Sequence, residues 1–362
     1  KDVLQKVSGA YKDQRENIIK QKDLIIKNLD LKKNPVLNQN LEPILENALN
    51  SLDRTKGGYK GAPKFPTFNL YDTLIYFYNK SKNEKYLEPT KLILKQLCSK
   101  GIYDHVEGGI SRYAVDENWL VPHFEKMLYD NVQFISLLSK FLKIKPDKYY
   151  FKKIKQTTNF LKRNFLTKET NLLGSALDAD SEGVEGKYYT YDFNELKNIK
   201  DIEKYFDIRP EGNWEGKIIL DEIKEPNEEI IKKLLEIRTK RKKPFFDKKN
   251  QLDLNCLWVS SLISLNSVIP NEGYLATAEN FFGNIEKKFC SKDIFHSYSE
   301  DISFIEDYAY IIQCLLDLSD ATMNTKYRLL AKKYCDQAIN KFYDRNKYIF
   351  QKNDKIKNDI FM

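Results

Sequence analysis

Residues 101–142 read GIYDHVEGGISRYAVDENWLVPHFEKMLYDNVQFISLLSKFL. The stretch changes character midway. Its first half mixes glycines, aromatics and charges without a period. From Pro122 onward, Phe124, Met127, Leu128, Ile135, Leu138 and Leu142 recur at helical spacing. Proline suits a first helical position, so the pattern predicts a helix over about 123–144. Asn131 falls inside its apolar stripe and needs a hydrogen-bonding partner there. His123 and Asp130 stand two turns apart on the edge of the stripe. A long irregular connector thus feeds a long buried helix.

The same unit recurs outward in both directions. Helical patterns fall at about 40–54, 68–80, 84–100, 147–165, 255–269, 272–290, 301–322 and 326–344, with Asp147 and Asp301 as capping residues. Short connectors join 80 to 84, 144 to 147, 269 to 272 and 322 to 326. Long ones run 55–67, 101–122, 166–254 and 291–300. Short turns make antiparallel helical hairpins. A chain of hairpins can close into a toroid of inner and outer helices. Every long connector then lies at one end, before an inner helix. The expected fold is all-α, an α/α toroid with a small β-containing insertion at about 170–254. Inside the insertion, 187–191 reads as a strand, and 193–206 and 226–242 as charged helices. A charged helix to Leu29, broken at Asn34-Pro35, divides the chain into a helical linker, 1–35, and a toroid, 36–362.

Composition excludes several classes. The net charge of +8 comes from lysines spread along polar helix faces. The densest basic run is Arg238–Lys243, and no nucleic-acid-binding module is recognisable, so nucleic acid is not an expected partner. The five cysteines, Cys98, Cys256, Cys290, Cys314 and Cys335, form no CxxC pair. Buried reduced thiols in a reducing cytoplasm are the simplest reading. No apolar run is long enough to span a membrane. No cofactor is expected.

The residue types that carry chemistry gather in the long connectors. The first connector holds Tyr59 and Phe65 among glycines and prolines, as a rigid loop or a ligand floor. The second holds Arg112, Tyr113, Asp116 and Trp119, then His123, Glu125, Asp130 and Asn131. Histidine exchanges protons near neutral pH, and a carboxylate neighbour tunes it. His123 suits that role, or braces the helix start. The third holds Asp178, Asp180, Glu182 and Glu185, whose charges repel unless compensated. The loop opens like a calcium site, but Tyr189 stands where the last ligand belongs, and no metal is expected. In the fourth, His296 precedes Glu306 and Asp307, whose charges also suit a helix N-terminus.

Four stretches, GGYKGAPKFP (57–66), GGISRYAVDENWLVPHFEKMLYDN (108–131), ALDADSEGVEGKYYTY (176–191) and IEDYAYIIQ (305–313), resemble the YyaL, or spermatogenesis-associated protein 20-like, family. A weaker match is 238–255, where Leu254-Asn255-Cys256 replaces the Trp-Asn-Gly usual in relatives. The resemblance covers roughly 1–344 and implies a six-hairpin glycosidase-like toroid, incomplete at its C-terminal end. It also implies a thioredoxin-like domain in cis, preceding Lys1.

Two functions follow as expectations. One is a carbohydrate-active protein with epimerase- or hydrolase-like acid/base chemistry on a carbohydrate or similar polyol. Its catalytic candidates are His123, Asp178, Asp180 and Glu125. Arg112, Tyr113, Asp116, Trp119, Asp130, Asn131, Glu182, Tyr59 and Glu306 are its binding candidates, with Trp119 and Tyr113 stacking on a sugar ring. The other is a non-catalytic binding module partnering the thioredoxin-like domain.

Overall fold

The computed structural model describes residues 2–29, 41–270, 272–290, 293–297, 302–345 and 348–352. Asn34, Pro35, Asp301 and the expected division at 35 lie outside these residues. The chain forms two compact units, Lys1–Glu46 and Asn47–Met362. The first contains α1 (Asp2–Asp13), α2 (Arg15–Leu29) and the start of α3 (Glu42–Ser51).

The second unit is built from four helical hairpins. They are α4 (Phe68–Ser81) with α5 (Glu84–Ser99), and α6 (Leu128–Ile144) with α7 (Lys148–Asn164). In the insertion stand the one-turn α8 (Phe193–Leu196) and α9 (Glu228–Arg238). Then come α10 (Leu252–Asn266) with α11 (Tyr274–Phe289), and α12 (Ile305–Thr322) with α13 (Thr325–Phe342). The first helix of each pair packs on the next: α4 on α6, α6 on α10, α10 on α12. This is the inner layer of an α/α toroid. Residue pattern explains the layering. α6 buries Leu128, Val132, Phe134, Ile135, Leu137, Leu138, Phe141 and Leu142, nearly all round its axis. A helix apolar on all sides belongs inside, and each such side chain contributes about 1.5–3 kcal/mol. Its partner α7 buries one face, Lys153 included, and turns most of its other lysines outward.

Two hairpins turn through the same device. Lys82 and Met323 each take a left-handed conformation, φ +56°, and end the first helix. The next residues, Asn83 and Asn324, then cap the following helix by accepting from Lys85 N and Lys326 N. Asp147 caps α7 in the same way, through Tyr149 N.

A repeat invisible in the sequence appears at the fourth residue of every inner helix: Tyr71, Asn131, Asn255 and Tyr308. Each is buried, and each reaches the connector before it. The Tyr71 hydroxyl bonds the backbone of Gly58, and Tyr308 donates to Asp293. Asn131 grips both backbone groups of Ile110, and Asn255 both of Leu173, at 2.8–3.0 Å. Both asparagines also donate to a carbonyl one turn back, of Met127 and Gln251. A Cβ on Gly109 would stand 2.8 Å from the Asn131 oxygen, so this grip requires glycine there. The long connectors are therefore bolted to the inner-helix N-termini.

The connectors also bond one another. Lys126–Met127, Ala176–Leu177 and Phe246–Asp247 form a small antiparallel sheet. Leu252 N donates to His296 O, tying the third connector to the fourth. The insertion carries its own core, in which Tyr191, Leu196, Phe206, Ile218 and Leu234 pack on Val106 of the second connector.

Several expected boundaries move. Pro122 begins no helix. Residues 121–127 are non-helical: Pro122 pairs with Ala114, Phe124 turns the chain through a left-handed conformation, Lys126–Met127 is a strand, and α6 starts at Leu128. Proline's fixed φ suits an extended segment as well as a first helical turn. Residues 187–191 form turns, and the hairpin strands are Asp180–Ser181 and Val184–Glu185. The two insertion helices shorten to Phe193–Leu196 and Glu228–Arg238, with a 3-10 turn at Ile202–Lys204.

Candidate functional site

The non-helical backbone at 121–127 creates the site. Arg112 N donates to Glu125 O, and His123 N to Tyr113 O. This irregular ladder sets the side chains of Arg112, Tyr113, His123 and Glu125 beside one another. Lys64 exchanges both backbone hydrogen bonds with Ala114, which places Phe65 next to Tyr113. Three rings then stack in order: Phe65 on Tyr113 and Tyr113 on His123, each pair with centroids 4.7 Å apart. Phe124 lies between His123 and Glu125 with φ +59°. That conformation costs about 1–3 kcal/mol. Burying its ring against Ala179 and Ile219 offsets the cost.

Glu125 is the hub. Its Oε2 lies 3.4 Å from Arg112 Nη1 and 4.0 Å from His123 Nδ1. Asp130, in the first turn of α6, is only 6% exposed. Burial raises its carboxyl from 3.8 to about 8; Arg112 opposes the rise and Glu125 adds to it. The group is held protonated at neutral pH although it sits in a first turn, where charge is favoured. Arg112 Nε, His123 Nδ1 and Asp130 Oδ2 are all shielded by protein, and none has a hydrogen-bond partner among the described residues. Buried polar atoms are nearly always satisfied. Arg112 and His123 flank Glu125, and Asp130 lies within electrostatic reach of Arg112 and Glu125, so the unpartnered atoms gather in one region.

No family profile matches the chain. An uncharacterised protein of Caenorhabditis elegans is 28% identical over 84% of this chain and 51% of its own length. Human spermatogenesis-associated protein 20 is 24% identical over 81% of this chain and 46% of its own. The chain thus spans about half the length of these curated relatives. Among solved structures, a family 76 glycoside hydrolase, an alpha-mannanase of Bacteroides thetaiotaomicron, superposes with TM-score 0.56. It covers 86% of this chain and 72% of its own at 15% identity, a likeness of fold. The chain is an α/α toroid similar to spermatogenesis-associated protein 20.

Other predicted residues of the toroid either serve its frame or lie exposed. Trp119 cannot stack on a ligand. It is fully buried, packs against Gly58, and donates its indole N–H to Lys56 O at 2.9 Å. Asn131 is the staple on Ile110, with all its polar atoms used internally. Asp116 shapes its own loop by accepting from Asn118 N, Leu120 N and Val121 N. Tyr59 is half-exposed in the first connector and pairs with Leu52. Glu306 is exposed in the first turn of α12. Asp178, Asp180 and Glu182 lie exposed on the insertion hairpin. Of these, Glu182 pairs with Lys187 at 2.8 Å. Asp178 follows Leu177, whose strand partner Lys126 follows Glu125, so the hairpin departs from the edge of the site.

Two clusters were not assembled from the sequence, although His296 and Asp307 stand out singly in and just after the fourth connector. Beneath the site, Asp104 receives Arg238 at 2.6 Å and Lys126 at 2.7 Å, all three buried. His105 lies at its side, buried between Lys100 O, Lys153 and Glu222. At the other inner helices, His296 Nδ1 contacts Asp307 Oδ1 at 2.8 Å and lies 4.0 Å from Asp253 Oδ1. The hydrogen bond to Asp307 raises the His296 pKa. Burial, and then the Asp307 charge, raise that of Asp253. Asp253 opens α10, whose start was expected three residues later. The inner-helix positions of Asp130, Asp253 and Asp307 were the available clue.

Proposed function

We propose that the connector end of the toroid binds a carbohydrate or similar polyol and performs acid/base chemistry on it. The observation that carries this reading is the set of shielded, unpartnered atoms on Arg112 and His123, which flank Glu125, and on Asp130, whose carboxyl feels the charges of Arg112 and Glu125. A polyol offers hydroxyls that both donate and accept, which such a mixed set requires. The exposed face of Phe65, on the end of the Phe65–Tyr113–His123 stack, supplies a flat apolar surface for a sugar. Asp130, kept protonated by burial, is the proton donor to a leaving or ring oxygen. The Glu125 carboxylate and the His123 imidazole are the candidate proton acceptors, and Arg112 orients the pair. The fold likeness to a glycoside hydrolase is consistent with this chemistry and does not choose the reaction.

A second reading is binding without turnover, beside a thioredoxin-like domain in cis. The half-open side chains of Arg112 (43% exposed) and His123 (36%) favour it. One experiment separates the two. The chain is incubated with a panel of neutral and acidic oligosaccharides that includes α-mannans, and binding and products, as new reducing ends or epimerised sugars, are measured together. The acid/base reading expects both. Binding without products selects the second reading. Arg112→Met is expected to weaken binding about tenfold or more, as loss of a charged hydrogen bond does. Unchanged affinity in that variant, or no binding by the wild type, removes the site assignment.

A further inference from the structure

We propose that Asp253, His296 and Asp307 form a binding site for one divalent cation of the Zn2+ class. The proposal is independent of the carbohydrate reading. The three residues come from separate elements: the start of α10, the fourth connector and the start of α12. One ligand atom from each lies within 4.8 Å of the others. His296 Nδ1 stands 2.8 Å from Asp307 Oδ1 and 4.0 Å from Asp253 Oδ1. A tetrahedral shell with bonds of ~2.1 Å spaces its ligands by ~3.4 Å. The His296–Asp307 contact must therefore open, and the His296–Asp253 contact close, by about 0.6 Å, and the two carboxylate oxygens, within 4.8 Å of each other, must also approach to ~3.4 Å.

The surroundings hold these ligands as a metal site requires. The other imidazole nitrogen, Nε2, lies 2.7 Å from the Gln251 side-chain amide. Amide nitrogen and oxygen are assigned from the hydrogen-bond network and can exchange places. With the oxygen there, Nε2–H donates to Gln251 and the Nδ1 lone pair faces the two carboxylates. Such a partner orients a metal-bound histidine. Asp307 Oδ2 is fixed by Phe304 N at 2.8 Å, and Asp253 Oδ1 by Leu254 N at 2.8 Å. The His296 backbone is clamped from both sides, by Leu252 N and Ile302 O. Two carboxylates facing one imidazole also leave net negative charge, which a divalent ion neutralises. One nitrogen and two oxygens suit Zn2+ better than Ca2+ or Mg2+, which prefer oxygen alone. Three protein ligands leave a position for water or a hydroxyl group.

The test uses the full chain carrying Cys335→Ser, because Cys335 is an exposed thiol that competes for metal. The protein is stripped with chelator and titrated with ZnCl2 by calorimetry. One ion per chain is expected, with affinity at least tenfold lower in Asp253→Asn. Gln251→Leu, which touches only the far side of the imidazole, is expected to lower affinity about tenfold. Circular dichroism establishes that each variant is folded. The absence of saturable Zn2+ binding overturns the proposal, as does equal affinity in the folded Asp253→Asn and Gln251→Leu proteins. Metal stoichiometry is the readout, so failure here leaves the carbohydrate reading untouched.

Discussion

Asp130→Asn is expected to abolish turnover and, at the same time, to stabilise the fold above neutral pH. The two effects share one cause. The carboxyl is buried beside Glu125, with Arg112 only partly compensating, and its pKa rises from 3.8 to about 8. In the unfolded chain it ionises near its ordinary value. Between about pH 4 and pH 8 the unfolded state therefore binds fewer protons than the folded one. Stability from this residue is fully present below pH 4 and is lost as pH rises through 8. A rise of this size corresponds to on the order of 5 kcal/mol. Asparagine is neutral throughout, so it removes the decline. Urea unfolding at mildly acidic and mildly alkaline pH compares the two proteins. The wild type should lose several kcal/mol more than the variant over that range; parallel profiles would refute the assignment. Turnover should fall by about 10²–10⁴, the usual contribution of a positioned acid.

Asp104→Asn should be the most damaging single change to the frame beneath the site. The carboxylate receives Arg238 and Lys126 from opposite sides, and the backbone N–H groups of Val106 and Glu107 as well. Burial alone would raise its pKa. Arg238 and Lys126 outweigh burial and hold it well below the ordinary carboxylate range. Removing the charge leaves two buried cations without the carboxylate they share. Breaking a buried pair in this way costs about 3–5 kcal/mol. Arg238 ends α9 of the insertion, and Lys126 lies one residue from Glu125. The variant should therefore unfold at lower denaturant and loosen the insertion from the second connector. A change within about 1 kcal/mol, the scale of an exposed pair, would show that the cluster is not closed to water.

The hairpin order was legible because connector length is a one-dimensional property. Short turns force antiparallel neighbours, and the long connectors then fall at one end. Arg112, His123 and Glu125 could be named together because they lie close in sequence, although His123 and Glu125 were expected inside a helix that begins only at Leu128. The misreadings arose where tertiary burial decides a side chain's work. Trp119 has the residue type of a sugar platform, yet its indole locks two connectors together. Asn131 and Asn255 look like functional amides, and both bolt backbone to backbone. Asp130 was assigned to binding because nothing local reveals that its carboxyl is buried. Asp104 and Arg238 lie 134 residues apart and meet only through the insertion. Asp253 was passed over because a three-residue error in the start of α10 put it outside the helix.

The central claim is that the inner end of α6 holds a carboxylic acid, not a carboxylate, at neutral pH. Carboxyl ¹³C NMR of aspartate-labelled protein measures this directly, with Asp130→Asn identifying the resonance. A titration midpoint near 8 is the predicted result. A midpoint near 4 would mean that Asp130 is an ordinary ionised side chain and that the proposed proton donor does not exist.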